Sequence, residues 1–154
     1  MLLLVGANHL ISAFLCVVGF SLNLYVLILY DIAVRPSREA GLKYYYLSTL
    51  SSGLILYGVF MLYALSGDGE FSELHTFFLQ GDSRYSALAR VAVMLAIFGF
   101  FFKLSAVPAH LWAVEVYEGS PSPVTALFML PVKVAVLAAF TRLLTLALPG
   151  LSHF

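Results

Sequence analysis

Charge is what this sequence has least of: Asp, Glu, Lys and Arg make up 10% of its 154 residues, against about 25% in ordinary soluble domains. Eight basic and eight acidic residues cancel to a formal net charge of zero, which leaves no clustered basic surface for nucleic acid. A single cysteine, Cys16, rules out an internal disulfide and any Cys/His metal spacing. His9, His75, His110 and His153 are too scattered to read as a metal cluster, so no metal is expected. Nucleotide-binding loops, nucleophile–base pairs and haem motifs are not visible either, so no redox or hydrolytic chemistry is expected of this chain alone. The start, Met1-Leu2-Leu3-Leu4-Val5, has no basic n-region, and its apolar character runs on to Tyr30. That pattern reads as a mature membrane segment and not as a cleaved signal or an Arg- and Ser-rich transit sequence.

What is present is apolar: 62% of the residues, gathered in runs of about 20, the length that crosses a bilayer as a helix. Only helices or closed barrels satisfy the backbone in lipid, and these runs lack the alternation of barrel strands. The expectation is an all-α integral membrane protein in one domain. Its four helices are expected near residues 10–30, 41–65, 87–108 and 123–148. Residues 1–6 form an apolar lead-in, and Ala7, Asn8 and His9 form a polar notch. Pro108 lacks an amide hydrogen and its ring clashes with the preceding turn, so it breaks or kinks the third helix. Pro123 suits the first turn of the fourth, which Pro149 and Gly150 end. Arg35, Arg38 and Lys43 in and beside loop one favour the cytoplasmic or matrix side. Asp68, Glu70, Glu73 and Asp82 make loop two the outer one, and loop three, residues 115–122, returns inside with Glu115 and Glu118 solvated.

Lys103 lies within an otherwise apolar stretch, residues 91–114. An ammonium at the bilayer centre costs roughly 2.5–3.5 kcal/mol on insertion scales, so it belongs in a protein interior or a wet cavity. It reads as a protonatable relay group in preference to a snorkelling lysine. Lys133, two residues after Pro131 and about 15 Å inside its helix at 1.5 Å per residue, repeats the pattern. Antiparallel third and fourth helices place both lysines in one layer. Lys43 starts its helix beside Tyr44, Tyr45 and Tyr46 and reads as an interfacial anchor, as does Arg142 near the far end of the fourth helix. Ser48, Thr49, Ser51, Ser52 and Gly53 read as a close-packing face unless they meet water. His110, whose imidazole can both take up and give up a proton, serves equally as relay or as hydrogen-bonded interfacial residue.

The stretch from Phe102-Lys103-Leu104-Ser105 through Val107-Pro108-Ala109-His110-Leu111-Trp112 to Val116-Tyr117-Glu118-Gly119-Ser120-Pro121-Ser122-Pro123-Val124-Thr125 resembles subunit 2 of respiratory complex I, the N subunit of the bacterial enzyme. Lys43-Tyr44-Tyr45-Tyr46-Leu47-Ser48 and Ser21-Leu22-Asn23-Leu24-Tyr25 resemble the family's two preceding helices. The resemblance implies most of one five-helix repeat of an antiporter-like fold, from about the fifth to the eighth helix. It implies a proton relay through Lys103, Lys133 and Lys43. It places NADH, FMN, iron–sulfur clusters and ubiquinone in other subunits, with no cofactor on this chain. The implied partners are other membrane-arm subunits, a second chain carrying the missing repeat, and phospholipids. The implied location is the mitochondrial inner membrane, or alternatively a bacterial plasma membrane. Where the family carries a glutamate paired with the seventh-helix lysine, this chain has Val18; Ala109, Val114 and Glu115 also depart from the pattern. Two alternatives remain: a structural remnant of the subunit without proton conduction, and a subunit of a multisubunit cation/proton antiporter that shares the fold.

Overall fold

The computed structural model describes residues 2–31, 35–80 and 86–147. Among these, every regular element is a helix, and the only extended pairing is an isolated antiparallel bridge between His9 and Glu70. A short helix, α1 (Leu2–Gly6), precedes α2 (Leu10–Ile28), which ends in a 3₁₀ turn, Leu29–Asp31. Then follow α3 (Arg35–Ser66), α4 (Phe71–Gln80), α5 (Ser86–Leu104) and α6 (Leu111–Gly119). The last span is α7 (Ser122–Leu127) and α8 (Lys133–Arg142), joined through a π turn at Phe128–Val132 and closed by another at Leu143–Ala147. Four segments are long and apolar enough to cross a membrane: Leu10–Ile28, Pro36–Ser66, Ala87–Leu104 and Ser122–Thr145.

The helix ends differ from the sequence expectation in ways the chemistry explains. Helix α3 starts six residues before position 41, because Pro36 suits a first turn and its early charges are helical and not looped. At 32 residues it is about 48 Å long, more than the ~30 Å hydrocarbon core, so its first turns project beyond the lipid. Loop two is largely α4, whose apolar residues Phe71 and Leu74 are buried while Ser72, Glu73 and Thr76 face outward. Helix α5 stops at Leu104 and not at Pro108. A residue before proline avoids helical geometry, so Val107 cannot continue the helix. The chain leaves through Ser105 at φ 56°, with the amides of Ser105 and Ala106 bonding the carbonyls of Phe102 and Phe101. Glu115 and Glu118 then lie on α6, where a loop was expected. The expected stop at Pro149 and Gly150 lies outside the described residues, as do Asp82, Arg84 and His153.

Packing in lipid depends on close fit more than on apolar burial, because lipid tails are as apolar as leucine. The tightest seam joins α3 and α5. A Cβ at Gly58 would meet the Ala92 carbonyl oxygen at 2.7 Å and the Ala96 amide nitrogen at 2.8 Å. Gly99 sits as closely on Ile55 and on the Ser51 carbonyl. One end of the bundle is tied by backbone hydrogen bonds between the notch and the α3–α4 turn: Leu10 N to Gly69 O at 2.8 Å and Phe71 N to Asn8 O at 3.1 Å. Arg142 reaches this joint from α8, donating to the Val5 carbonyl and, at 2.6 Å, to Asn8 Oδ1. It is thus a tie between helices and not a free-standing anchor. At the opposite, loop-one end, the Ser37 hydroxyl donates to the Gly119 carbonyl at 3.2 Å, and Lys43 pairs with Glu115.

Candidate functional site

Lys103 occupies the last turn of α5 and is 8% exposed. Its ammonium donates to Ser48 Oγ at 2.6 Å, to Ser21 Oγ at 2.9 Å and to the Ser48 carbonyl at 3.4 Å. Three N–H groups therefore meet three oxygens, which offsets the cost of holding the charge away from water. The local sequence presents those oxygens. Ser21 turns its own hydrogen onto the Val17 carbonyl at 2.7 Å, which aims a lone pair across the helix gap. Ser52 donates to the Ser48 carbonyl at 2.9 Å, and Ser51 donates to the Gly99 carbonyl at 2.9 Å, fixing α3 to α5 one turn before the lysine. Buried Tyr44 brings its hydroxyl beside Ser21 and Ser48.

Every acceptor that Lys103 meets among the described residues is a neutral oxygen. Val18, where the sequence resemblance puts a carboxylate, lines a groove of about 240 Å³ between α2 and α3, together with Ser21, Tyr25, Ser48, Thr49 and Ser52. Lys103 and Ser48 also border a second, aromatic space. Tyr44, Trp112, Tyr117 and Phe128 enclose a cavity of only about 10 Å³ there, room for one water at most. Trp112 stacks on Phe102 and donates from Nε1 to the Phe102 carbonyl at 3.2 Å, a second donor to the carbonyl that also accepts from the Ser105 amide where α5 ends.

The remaining sequence candidates lie around this centre at different distances. Lys133 places its ammonium 5.4 Å from the centre of the Tyr117 ring, a cation–π contact, and Tyr117 also lines the small cavity that Lys103 borders. Lys43 is apart from them: its side chain is 50% exposed and ion-paired with Glu115, beside a cavity that Pro108, Leu111 and Trp112 also line. His110 heads α6 without a capping bond, and its buried Nδ1 has no hydrogen-bond partner, nor has the Ser105 hydroxyl in the same break. The serines of α3 are not only a packing face, since Ser48 is in the site. Sequence reading missed Ser21 and Ser48 as partners of Lys103, and Tyr44 as the residue beside both serines. The serine patch was visible, but nothing along one chain shows that residues 82 and 55 positions away meet the same ammonium.

Fold and site together define a multi-pass helical membrane protein that shelters a lysine beside a broken helix. Residues 7–153 match the family described as NADH:quinone oxidoreductase/Mrp antiporter, transmembrane region. The chain belongs to that family. A curated relative, NADH-quinone oxidoreductase subunit N of Parvibaculum lavamentivorans, is 38% identical over 151 residues, covering 98% of this chain and 31% of the relative. Among solved structures, respiratory complex I from Thermus thermophilus with bound aureothin matches 91% of this chain and 30% of its own at TM-score 0.77 and 31% identity. The Mrp complex from Dietzia matches 96% of this chain and 27% of its own at TM-score 0.82 and 24% identity, a likeness of fold. The chain spans about 30% of the length of the curated relatives it matches.

Proposed function

We propose that this chain forms part of the N subunit of a proton-translocating NADH:quinone oxidoreductase, and that Lys103 is a proton-relay group within it. The observation that carries the proposal is the buried ammonium of Lys103 held by Ser21 and Ser48, two serines that also line the groove between α2 and α3. A site of this kind holds a proton away from lipid and releases it through exchangeable hydrogen bonds. Lys133, across the Tyr117 ring, is the next station. Lys43 and His110, at the break around Pro108, are candidates for its outlet. The chain binds no cofactor itself; NADH, FMN, iron–sulfur clusters and ubiquinone belong to other subunits. Other membrane-arm subunits, phospholipids and a second chain with the remaining repeat are its neighbours, and chains co-purifying in mild detergent identify them. The named relatives are bacterial, which supports a bacterial plasma membrane over the mitochondrial inner membrane.

Replacing Lys103 by Met in the assembled enzyme is expected to lower proton movement per electron while NADH oxidation continues. Unchanged stoichiometry in a fully assembled enzyme refutes the relay. It would support the second reading, a structural subunit, which the absence of a carboxylate among the described partners of Lys103 favours. The antiporter alternative predicts co-purification with a sodium/proton complex. The likeness to the Mrp complex does not favour it over the N subunit, because both share the fold.

A further inference from the structure

We propose that Ser48 is the group through which Lys103 exchanges its proton, and that the exchange runs into the groove between α2 and α3. This rests on the relay reading above and adds the first step of the route. A charged lysine offers three N–H donors, and the three oxygens around Nζ use all of them. A neutral lysine has two N–H donors and a lone pair, which needs a donor in turn. The Ser48 carbonyl has none to give. Ser21 already spends its hydrogen on Val17 at 2.7 Å. Ser48 is left: its hydroxyl is the nearest of the three oxygens, at 2.6 Å, and lies beside the Tyr44 hydroxyl, which also meets Ser21.

The step balances without any added reagent but water. An N–H bond of Lys103 breaks and its proton forms an O–H bond on Ser48, while the hydrogen Ser48 carried passes to a water in the groove. Lys103 becomes neutral, the new Ser48 hydroxyl donates to its lone pair, and the water carries the charge away. The two spaces that Ser48 borders differ in room for that water. The groove along Val18, Tyr25, Thr49 and Ser52 has about 240 Å³, many times the ~10–15 Å³ that one water needs, whereas the aromatic space has about 10 Å³. Tyr25 and Tyr45, with ring centres 5.2 Å apart, lie one turn beyond Ser21 and Ser48 towards the charged start of α3, and form the mouth of the groove at that end.

The test uses the full-length subunit in the assembled enzyme, with proton movement per electron measured in sealed membrane vesicles. A positioned proton-transfer group contributes about 10²–10⁴-fold to its step, so Ser48→Ala is expected to fall to the level of Lys103→Met. Ser48→Thr, which keeps the hydroxyl, is expected to restore movement, and Ser21→Ala to lose less than Ser48→Ala. If Lys103→Met lowers proton movement and Ser48→Ala does not, the Ser48 route is wrong and the relay reading survives. If neither lowers it, the relay reading itself fails. Should Ser48→Ala not assemble, the groove is tested through Thr49→Cys in a Cys16→Ser background. Labelling by a membrane-impermeant cationic thiol reagent supports the water path, and protection from it overturns that path.

Discussion

Adding one methyl group at Gly58 tests the seam on which the site depends. A Cβ there would lie 2.7 Å from the Ala92 carbonyl oxygen and 2.8 Å from the Ala96 amide nitrogen, both backbone atoms that cannot swing aside. Ordinary contact begins near 3.4 Å, so α3 and α5 must part by about 0.7 Å. The Ser51–Gly99 hydrogen bond crosses the same seam at 2.9 Å and would lengthen to about 3.6 Å, where it ceases to count as one. Overpacking of this kind costs about 1–3 kcal/mol, and the lost bond adds about 1 kcal/mol. Gly58→Ala is therefore expected to lower the SDS fraction at half-unfolding of the bicelle-reconstituted subunit, and to lower proton movement as Ser48 is drawn from Lys103. Gly53 supplies the control. It lies on the same helix, a Cβ there meets nothing within 4 Å, and alanine favours a helix over glycine by about 1 kcal/mol. Gly53→Ala should leave unfolding unchanged or raise its midpoint. Equal destabilisation by both variants would refute the argument from close approach.

Two further outcomes follow from the ends of the helices. Arg142→Ala removes charged hydrogen bonds to the Val5 carbonyl and Asn8 Oδ1, and should destabilise the subunit by about 1.5–3 kcal/mol in the same unfolding assay, with Arg142→Lys recovering part; a midpoint equal to that of the parent would show that Arg142 is only an anchor. Trp112→Phe keeps an aromatic ring but loses the bond to the Phe102 carbonyl, a cost of about 0.5–1.5 kcal/mol, whereas Trp112→Ala should cost about 3–5 kcal/mol; a Trp112→Phe midpoint equal to the parent's would contradict the hydrogen bond, and equal midpoints for the two variants would contradict the packing of the ring.

Four membrane helices and a break near Pro108 were legible in the sequence because apolar run length and proline chemistry act locally, though the helix ends four residues earlier, at Leu104. Helix α4 was not, since Glu70 and Glu73 suggest a loop to an eye trained on long apolar runs. Its burial repeats instead at Phe71 and Leu74. Lys103 was legible as a buried charge from its apolar neighbours alone, but its serine cradle was not. That cradle depends on the rotation of α2 and α3 against α5, which close contacts at Gly58 and Gly99 set. The pairing of Lys43 with Glu115 was hidden for another reason: the sequence put Glu115 in a loop, and only the continuation of α6 carries it to the start of α3.

The two ends of the bundle are fastened by different kinds of bond, and this has a mechanical consequence. At the notch end, two backbone hydrogen bonds and the Arg142 guanidinium pin three helices to one another. At the other end the charged fastening is an exposed lysine–glutamate pair, which water and salt weaken readily. A bundle built in this way is expected to open as a lever with its fulcrum at the notch. Any spreading grows with distance from that fulcrum, and the Ser21–Lys103–Ser48 contacts lie part-way along the arm. A small push applied near Lys43 and Glu115 therefore reaches the buried ammonium as a reduced but directed change in distance.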